Sequence, residues 1–351
     1  MRFAVESWSP DYGVAADATQ MEDATSQIDI TIEYAEADWQ PVQPSPAVQP
    51  SPPQSQPSQP SQPSPSQPSQ PPQPSLQSPQ PQSQSPQSSS FERVLFVDGV
   101  RRVDASVWFE DGLITRPGLC ATVAAGSVLC TASEARVVET IVVRGFFARA
   151  CDDADSIQTA HGPYQYFPCG DDATDALYLG IHEEMTRCES RLASEIDADL
   201  VVYDGPLRGR SDHRAVGYVK TQQVQYLPDE VQPILGRLGS GQRTPLFQIG
   251  GRGEWGRFSW YLRLPGPRSQ PLSGIVRLEM VASGTIAEAV QQADRVTLAL
   301  PRFASEPHKD PRAPQNLYPI GGLEHRLRHL LGDINVLERA LRRSAGRHAG
   351  F

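Results

Sequence analysis

Two aspartates in this sequence stand at the ends of apolar runs. Asp98 lies in FVDG, residues 96–99, and Asp204 lies in VYDG, residues 202–205. An aspartate that ends a buried strand is held rigidly at the sheet edge, and the glycine after it lets the backbone turn or a ligand approach. Such carboxylates on neighbouring strands can share Mg²⁺ or Mn²⁺, and two ions there would activate water for phosphodiester cleavage. Either Asp-Gly pair alone commonly marks only a turn.

A third carboxylate ligand is expected from the helix that precedes Asp204. Its candidates are Glu183, Glu184, Glu189 and Glu195. The helical positions Met185, Cys188 and Leu192 face the core, which places Glu189 beside the buried stripe and directs it toward the sheet. We favour Glu189, with Glu183 as the alternative, and a solvated helix face is the competing explanation.

Three further residues could assist this chemistry. Lys220 ends a strand-like run and could pair with the scissile phosphate, although an exposed strand-end lysine is the plainer interpretation. His325 and His329 are four residues apart on a helix, but no glutamate of an HExxH motif lies between them, so a zinc site is not favoured. His325 and Tyr318 could instead contact a phosphate or orient water.

The elements that position these residues alternate between strands and helices. The spacing predicts strands at 94–98, 103–109, 119–131 and 137–147, then a helix at 174–196 and a buried strand at 199–207. It further predicts strands at 215–221, 258–264 and 275–281, and helices at 229–238, 286–300 and 323–343. This order indicates an α/β fold with a mixed sheet flanked by helices.

A biased segment divides the chain. Residues 42–90 are almost only Pro, Gln and Ser, which cannot bury enough apolar area to order themselves, so we interpret them as a disordered linker. Residues 28–34 alternate apolar and polar in the manner of a half-buried strand. We therefore assign residues 1–41 to the same domain as residues 91–351, with the linker inserted between them.

Charge and composition bound the partners and the location. The formal net charge is −10, so any contact with nucleic acid must be local, for instance on the arginine-rich segment 324–351. Five cysteines without a CxxC pair argue against a zinc knuckle or a disulfide framework. No apolar run of membrane-spanning length and no signal-peptide pattern occurs, and we expect a cytoplasmic protein without a membrane partner.

Several segments resemble the motifs of the NurA family of DNA-end-processing nucleases, in the same order. They are FVDGVRRVDA (96–105), VVYDGPL (201–207), VGYVKT (216–221), VRLE (276–279) and LYPIGGLEHR (317–326), and the opening VESWSPDYG (5–13) is also similar to the start of bacterial members. The resemblance covers the whole chain except the linker. The acidic balance and the linker depart from a typical nuclease.

This resemblance implies a ribonuclease-H-like core related to the PIWI domain, with two Mn²⁺ or Mg²⁺ ions. It implies a 5′-to-3′ exonuclease or single-strand endonuclease that processes DNA ends in double-strand break repair, as a homodimer working with a HerA-type hexameric translocase. Carried over by motif, the metal ligands are Asp98, Glu189 and Asp204, and Tyr318 and His325 complete the site. A catalytically inactive DNA- or partner-binding scaffold of the same fold is the open alternative, and recruitment of partners through PxxP segments of the linker is another.

Overall fold

The strands of the protein join one mixed sheet. The structure, a computed structural model, describes residues 1–6, 28–44, 91–152, 154–207, 209–221, 224–250, 256–268 and 270–348. Within these ranges eleven strands form a single sheet. The strands are β1 (Phe3–Val5), β2 (Ile28–Asp29), β3 (Val94–Asp111), β4 (Ile114–Cys130), β5 (Ala135–Arg149), β6 (Gln165–Cys169), β7 (Leu200–Asp204), β8 (Ala215–Val219), β9 (Phe247–Ile249), β10 (Arg257–Arg263) and β11 (Ile275–Val281).

Helices cover both faces of this sheet. They are α1 (Thr174–Glu195), α2 (Ile234–Arg237), α3 (Ile286–Ala299), α4 (Tyr318–Leu330) and α5 (Ile334–His348). Along α1, Leu177, Ile181 and Met185 recur at helical spacing and are buried against the sheet. On the opposite face, Leu323 and Leu327 of α4 pack in the same core as Phe96.

The strand order defines the topology. The sheet runs β2-β9-β10-β11-β8-β7-β3-β4-β5-β6, and β1 pairs with β3. Strands β3, β4 and β5 form an antiparallel meander, and after α1 the chain returns in β7, parallel to β3, and then in β8, parallel to β7. Three antiparallel strands, a helix and two parallel strands in the order β5-β4-β3-β7-β8 form a ribonuclease-H-like core. The expected mixed α/β sheet flanked by helices is confirmed.

Strand β3 corrects the expectation that a strand ends at Asp98. The strand runs past Asp98 to a total length of 18 residues because β4 pairs with it along this length, with Asp98 opposite Gly126 and Gly99 opposite Ala125. The turn comes only at Gly112, whose φ of 60° suits a residue without Cβ. On its other edge, β3 pairs with β7 at residues 94–97 and with β1 at residues 107–109. Asp98 thus lies where β7 ends along β3.

The C-terminal segment forms two helices where one was expected at 323–343. Helix α4 begins earlier, at Tyr318, and α5 follows after Gly332, which adopts a φ of 76° that other residues rarely take. The Arg102 guanidinium donates to the carbonyls of Leu331 and Gly332 and thereby satisfies the end of α4.

The two described N-terminal pieces pack on the same sheet. Besides β1 on β3, β2 pairs with β9, and the buried Trp39 indole donates to the carbonyl of Ile30 at 2.9 Å. The strand expected at 28–34 stops after Asp29, because the Asp29 carboxylate accepts the amide and hydroxyl of Thr31 and turns the chain. Tyr34 is exposed as a result.

The expected start of the linker, residue 42, is three residues too early, because residues 42–44 pack on the domain. Val42 exchanges two backbone hydrogen bonds with Arg243, and Pro44 is buried. Residues 45–90 lie outside the described part of the chain, so the expectation of a disordered linker there stays a prediction. Among the helices of the described ranges, none has the length and apolar character needed to cross a membrane.

Candidate functional site

Asp98 and Asp204 lie side by side on adjacent parallel strands. The pairing of β3 with β7 runs in register to Val97 and Tyr203, and the two aspartates are the next residues along each strand. Neighbouring strands are about 4.8 Å apart. Side chains alternate along a strand, so both aspartates share the face of Phe96 and Val202, the face that α4 covers.

The two carboxylates are buried with unsatisfied oxygens. Asp98 is 5% exposed, its Oδ1 accepts the Gly99 amide at 2.8 Å, and its Oδ2 has no hydrogen-bond partner. Asp204 Oδ1 is likewise buried without a partner. Burial raises the pKa of Asp98 well above its ordinary value, and the charges of Asp204 and Glu189 raise it further. Burial also raises the pKa of Asp204, against the opposing effect of Lys220.

Glu189 lies on α1, which covers the other face of the sheet from the two aspartates. Its approach depends on Gly99, since a Cβ at that position would lie 2.5 Å from Glu189 Oε1 and 2.7 Å from Met185 Cγ. Glu189 is 4% exposed, and burial raises its pKa to about 7. Glu183, the alternative ligand, is exposed on the same helix. Of the two candidates, Glu189 is therefore the one buried beside Gly99, where its charge raises the pKa of Asp98.

Two cations accompany the three carboxylates. Lys220 Nζ, at the end of β8, donates to Asp204 Oδ2 at 2.7 Å and to Asn316 Oδ1 at 3.0 Å. The Arg210 guanidinium forms an ion pair with Glu189 Oε2, and only 9% of the Arg210 side chain is exposed. Lys220 was anticipated from the sequence as a site residue, whereas Arg210 was not. The signal for Arg210 was weak, because it lies in a loop with other arginines.

The loop after Asp204 is anchored by a buried acid. Gly205 adopts a φ of 105°, which turns the chain away from β7. The Leu207 amide then donates to Glu279 Oε1 at 2.5 Å, and Glu279 is itself paired with Arg277 and Arg257. Glu279 has no exposed surface. This network fixes the segment from Asp204 to Leu207.

Glu324 on α4 is a fourth carboxylate that the sequence analysis missed. Its charge raises the pKa of both Asp98 and Asp204, which places it on their face of the sheet. Arg312 and Arg328 bind its two oxygens at 2.7 and 2.8 Å. Burial raises the pKa of Glu324, but the two arginines lower it by more, so the pKa lies below its ordinary value. The available signal was its position next to Leu323, on the buried stripe of α4.

Tyr318 and His325 occupy α4 with partners of their own. Tyr318 is 37% exposed, and the Lys309 ammonium lies 4.9 Å from its ring centre. The Nε2 atoms of His325 and His329 are 3.2 Å apart on the exposed side of the helix. The structure thus places Asp98, Asp204 and Lys220 on one face of the sheet and Glu189 beside Gly99 on the other face. Catalytic or metal-binding roles for these residues, and for Tyr318 and His325, stay predictions.

The chemistry of the donor set fits a divalent cation. Asp98 Oδ2 and Asp204 Oδ1 are unpartnered carboxylate oxygens, and an oxygen-binding ion would offset their burial and mutual repulsion. Within the described ranges, no three His, Cys, Asp or Glu side chains are already arranged as a ligand set. Glu189, the expected third ligand, is ion-paired with Arg210.

Fold and site together define an α/β protein of the ribonuclease-H-like class, with clustered carboxylates where its central parallel strands meet. The model of the NurA domain family matches residues 180–320, so the chain carries a NurA domain, and the recognition of this family is confirmed. The matched range includes Glu189, Asp204, Lys220 and Tyr318, whereas Asp98 and His325 lie outside it. No curated protein sequence matches the chain.

Solved nuclease structures show a distant similarity. The NurA nuclease from Sulfolobus solfataricus is 12% identical, with a TM-score of 0.44 over 72% of this chain and 84% of that one. Endonuclease V from Bacillus subtilis is 13% identical, with a TM-score of 0.32 over 68% and 80%. Ciona intestinalis endonuclease V, in complex with an inosine-containing 24mer DNA, is 12% identical, with a TM-score of 0.32 over 69% and 87%.

Proposed function

We propose that the chain is a divalent-metal-dependent deoxyribonuclease. The observation that carries this proposal is the pair of buried, unpartnered oxygens of Asp98 and Asp204 on adjacent strands. A polar atom buried without a partner is costly, and two anionic ones together call for a cation. The NurA domain match supports DNA as the substrate.

Each residue of the cluster has a defined part in this proposal. Asp98 and Asp204 would hold Mn²⁺ or Mg²⁺, and Glu189 would supply a third carboxylate. Bound ions, two in this proposal, would supply an activated water and stabilise the leaving oxygen. Lys220, already beside Asp204, orients that carboxylate and offsets negative charge on the phosphate.

The biological setting follows from the NurA family and extends the proposal. We assign the chain to the processing of DNA ends in double-strand break repair, as a 5′-to-3′ exonuclease or a single-strand endonuclease. A homodimer that works with a HerA-type hexameric translocase fits the same assignment. Because the net charge is −10, its DNA contacts are confined to local basic segments.

The test is cleavage of end-labelled linear DNA by purified protein in Mn²⁺, in Mg²⁺ or in EDTA. Wild type should degrade the DNA only with metal, and Asp98→Asn should abolish degradation. Asp111→Asn is the matched control, because it makes the same change on the same strand, at a residue that pairs with Arg116. Metal-independent cleavage, or an active Asp98→Asn protein, would contradict the proposal.

A binding scaffold without catalysis is the second candidate. The engagement of Glu189 by Arg210 favours it, since the third carboxylate is not free. A scaffold would retain DNA in a gel-shift assay with Mn²⁺ present and leave the label intact, which separates it from the nuclease.

A further inference from the structure

Arg210 is ion-paired with Glu189, the carboxylate proposed as the third metal ligand. Its guanidinium is ion-paired with Glu189 Oε2, and Nη1 donates to the Pro206 carbonyl at 3.1 Å. The guanidinium carbon lies 4.2 Å from the centre of the Tyr203 ring. Arg210 Nε is buried and has no acceptor, so this position leaves one donor unsatisfied.

We propose that Arg210 is a displaceable counterion, which neutralises Glu189 in the metal-free protein and must leave it when a divalent cation binds. This inference rests on the proposed metal site and adds a residue whose position the ion controls. An ion and a guanidinium compete for the same carboxylate, because Glu189 Oε1 already faces Gly99 and Oε2 faces Arg210.

The guanidinium has to move, since it cannot be neutralised in place. Arginine keeps its charge at any physiological pH, so a cation arriving at Glu189 would face a fixed positive charge. Lys220 already pairs with Asp204, so the pair with Glu189 is the one that Arg210 would give up. Removing Arg210 should therefore ease metal binding.

The loop around Arg210 allows such a movement. Its start is held through the Leu207 amide by Glu279, which keeps Asp204 in place. Beyond that anchor, Gly209 is exposed and has a φ of 68°, and a Cβ there would meet no atom within 4 Å. The loop is therefore open at Gly209, one residue before Arg210, while the anchor at Leu207 holds the segment next to Asp204.

A purely structural ion pair would behave in the opposite way. If Arg210 served only to hold Glu189 in position, its loss would misplace the carboxylate and weaken metal binding. A displaceable counterion predicts tighter binding in the same variant. The sign of the change in metal affinity decides between the two roles.

The experiment is a titration of the purified full-length protein with Mn²⁺, with free Mn²⁺ followed by electron paramagnetic resonance and no DNA present. Arg210→Gln should bind Mn²⁺ at least about tenfold more tightly than wild type, because the charge that competes with the ion for Glu189 is gone. Arg214→Gln is the matched control. It removes the same charge from the same loop, but Arg214 pairs with Asp212 and should leave the affinity unchanged.

A second substitution ties the effect to Glu189. In a Glu189→Gln background, Arg210→Gln should no longer tighten Mn²⁺ binding, because the contested carboxylate is absent. Should Arg210→Gln fail to fold, Arg210→Lys provides the test, since a single ammonium forms a weaker pair with Glu189 and should give an intermediate gain.

The outcomes separate this inference from the proposed function. Unchanged or weaker Mn²⁺ binding in Arg210→Gln, with normal binding in wild type, would overturn the counterion role alone. Equal tightening in Arg214→Gln would also overturn it, because the effect would then be general electrostatics. Failure of every variant and of wild type to bind Mn²⁺ would overturn the metal site and this inference together.

Discussion

Replacing Gly99 by alanine should disable the site while leaving the fold almost intact. The new Cβ would lie 2.5 Å from Glu189 Oε1, which must retreat by about 0.9 Å to reach an ordinary contact of 3.4 Å. That oxygen is the free end of a flexible side chain, and Met185 Cγ, 2.7 Å from the new Cβ, belongs to another, so the loss of stability should be about 1–2 kcal/mol. A misplacement of about 1 Å in a catalytic group costs on the order of 100-fold in rate.

Gly118→Ala is the matched control on the neighbouring strand β4. There the Cβ would lie 2.6 Å from Cε2 of the buried Phe146 ring and 3.2 Å from the Phe147 backbone oxygen. Neither atom can yield easily, and the expected destabilisation is larger, about 2–3 kcal/mol. Gly99→Ala should therefore be the more stable of the two variants and also the less active one.

The assay pairs urea unfolding with Mn²⁺-dependent DNA cleavage, normalised to folded protein. Gly99→Ala should lose about two orders of magnitude in rate, with the smaller loss of stability of the two variants. Gly118→Ala should lose stability and keep its rate per folded molecule. A Gly99→Ala protein that cleaves as fast as Gly118→Ala would refute the placement of Glu189 in the site.

Three further outcomes follow from the same contacts. Asp98→Asn and Asp204→Asn should both abolish cleavage. In thermal unfolding, only Asp204→Asn should lose stability, about 1–3 kcal/mol, because of the two aspartates only Asp204 forms an ion pair with Lys220. Glu279→Gln should lower the free energy of unfolding in urea by about 3–5 kcal/mol, since Arg277 is left buried without a counter-charge. A loss below about 1 kcal/mol would contradict this prediction. The pKa of Glu189 is about 7 in the folded protein, against an ordinary value of 4.5, so the folded state binds this proton more tightly than the unfolded state. In EDTA, the free energy of unfolding should therefore fall by about 3 kcal/mol as the pH rises from 4.5 to 7. Pulse proteolysis across that range should show a flatter profile for Glu189→Gln, and identical slopes would contradict the burial argument.

Local pattern was sufficient to place Asp204 and the helix that carries Glu189. The run at residues 200–203 is buried on both faces, and Gly205 has the positive φ that its lack of a Cβ allows. The buried stripe of α1 likewise follows directly from apolar spacing. Periodicity is a local property, so both predictions needed no knowledge of the rest of the chain.

Asp98 shows where local pattern ends. An Asp-Gly pair after an apolar run commonly turns, but pairing with β4 through Gly126 carries β3 straight on. The partner strand decides this, and it lies 28 residues further along the sequence. Arg210 and Glu324 were missed for a related reason. Their importance comes from contacts between elements, which neither residue type nor spacing reveals.

Anomalous scattering from a crystal soaked in Mn²⁺ would show whether Asp98 and Asp204 bind the ion. A peak is expected in contact with both Asp98 Oδ2 and Asp204 Oδ1, with Arg210 withdrawn from Glu189. A manganese peak elsewhere in the molecule, with those two oxygens still without a ligand, would contradict this expectation.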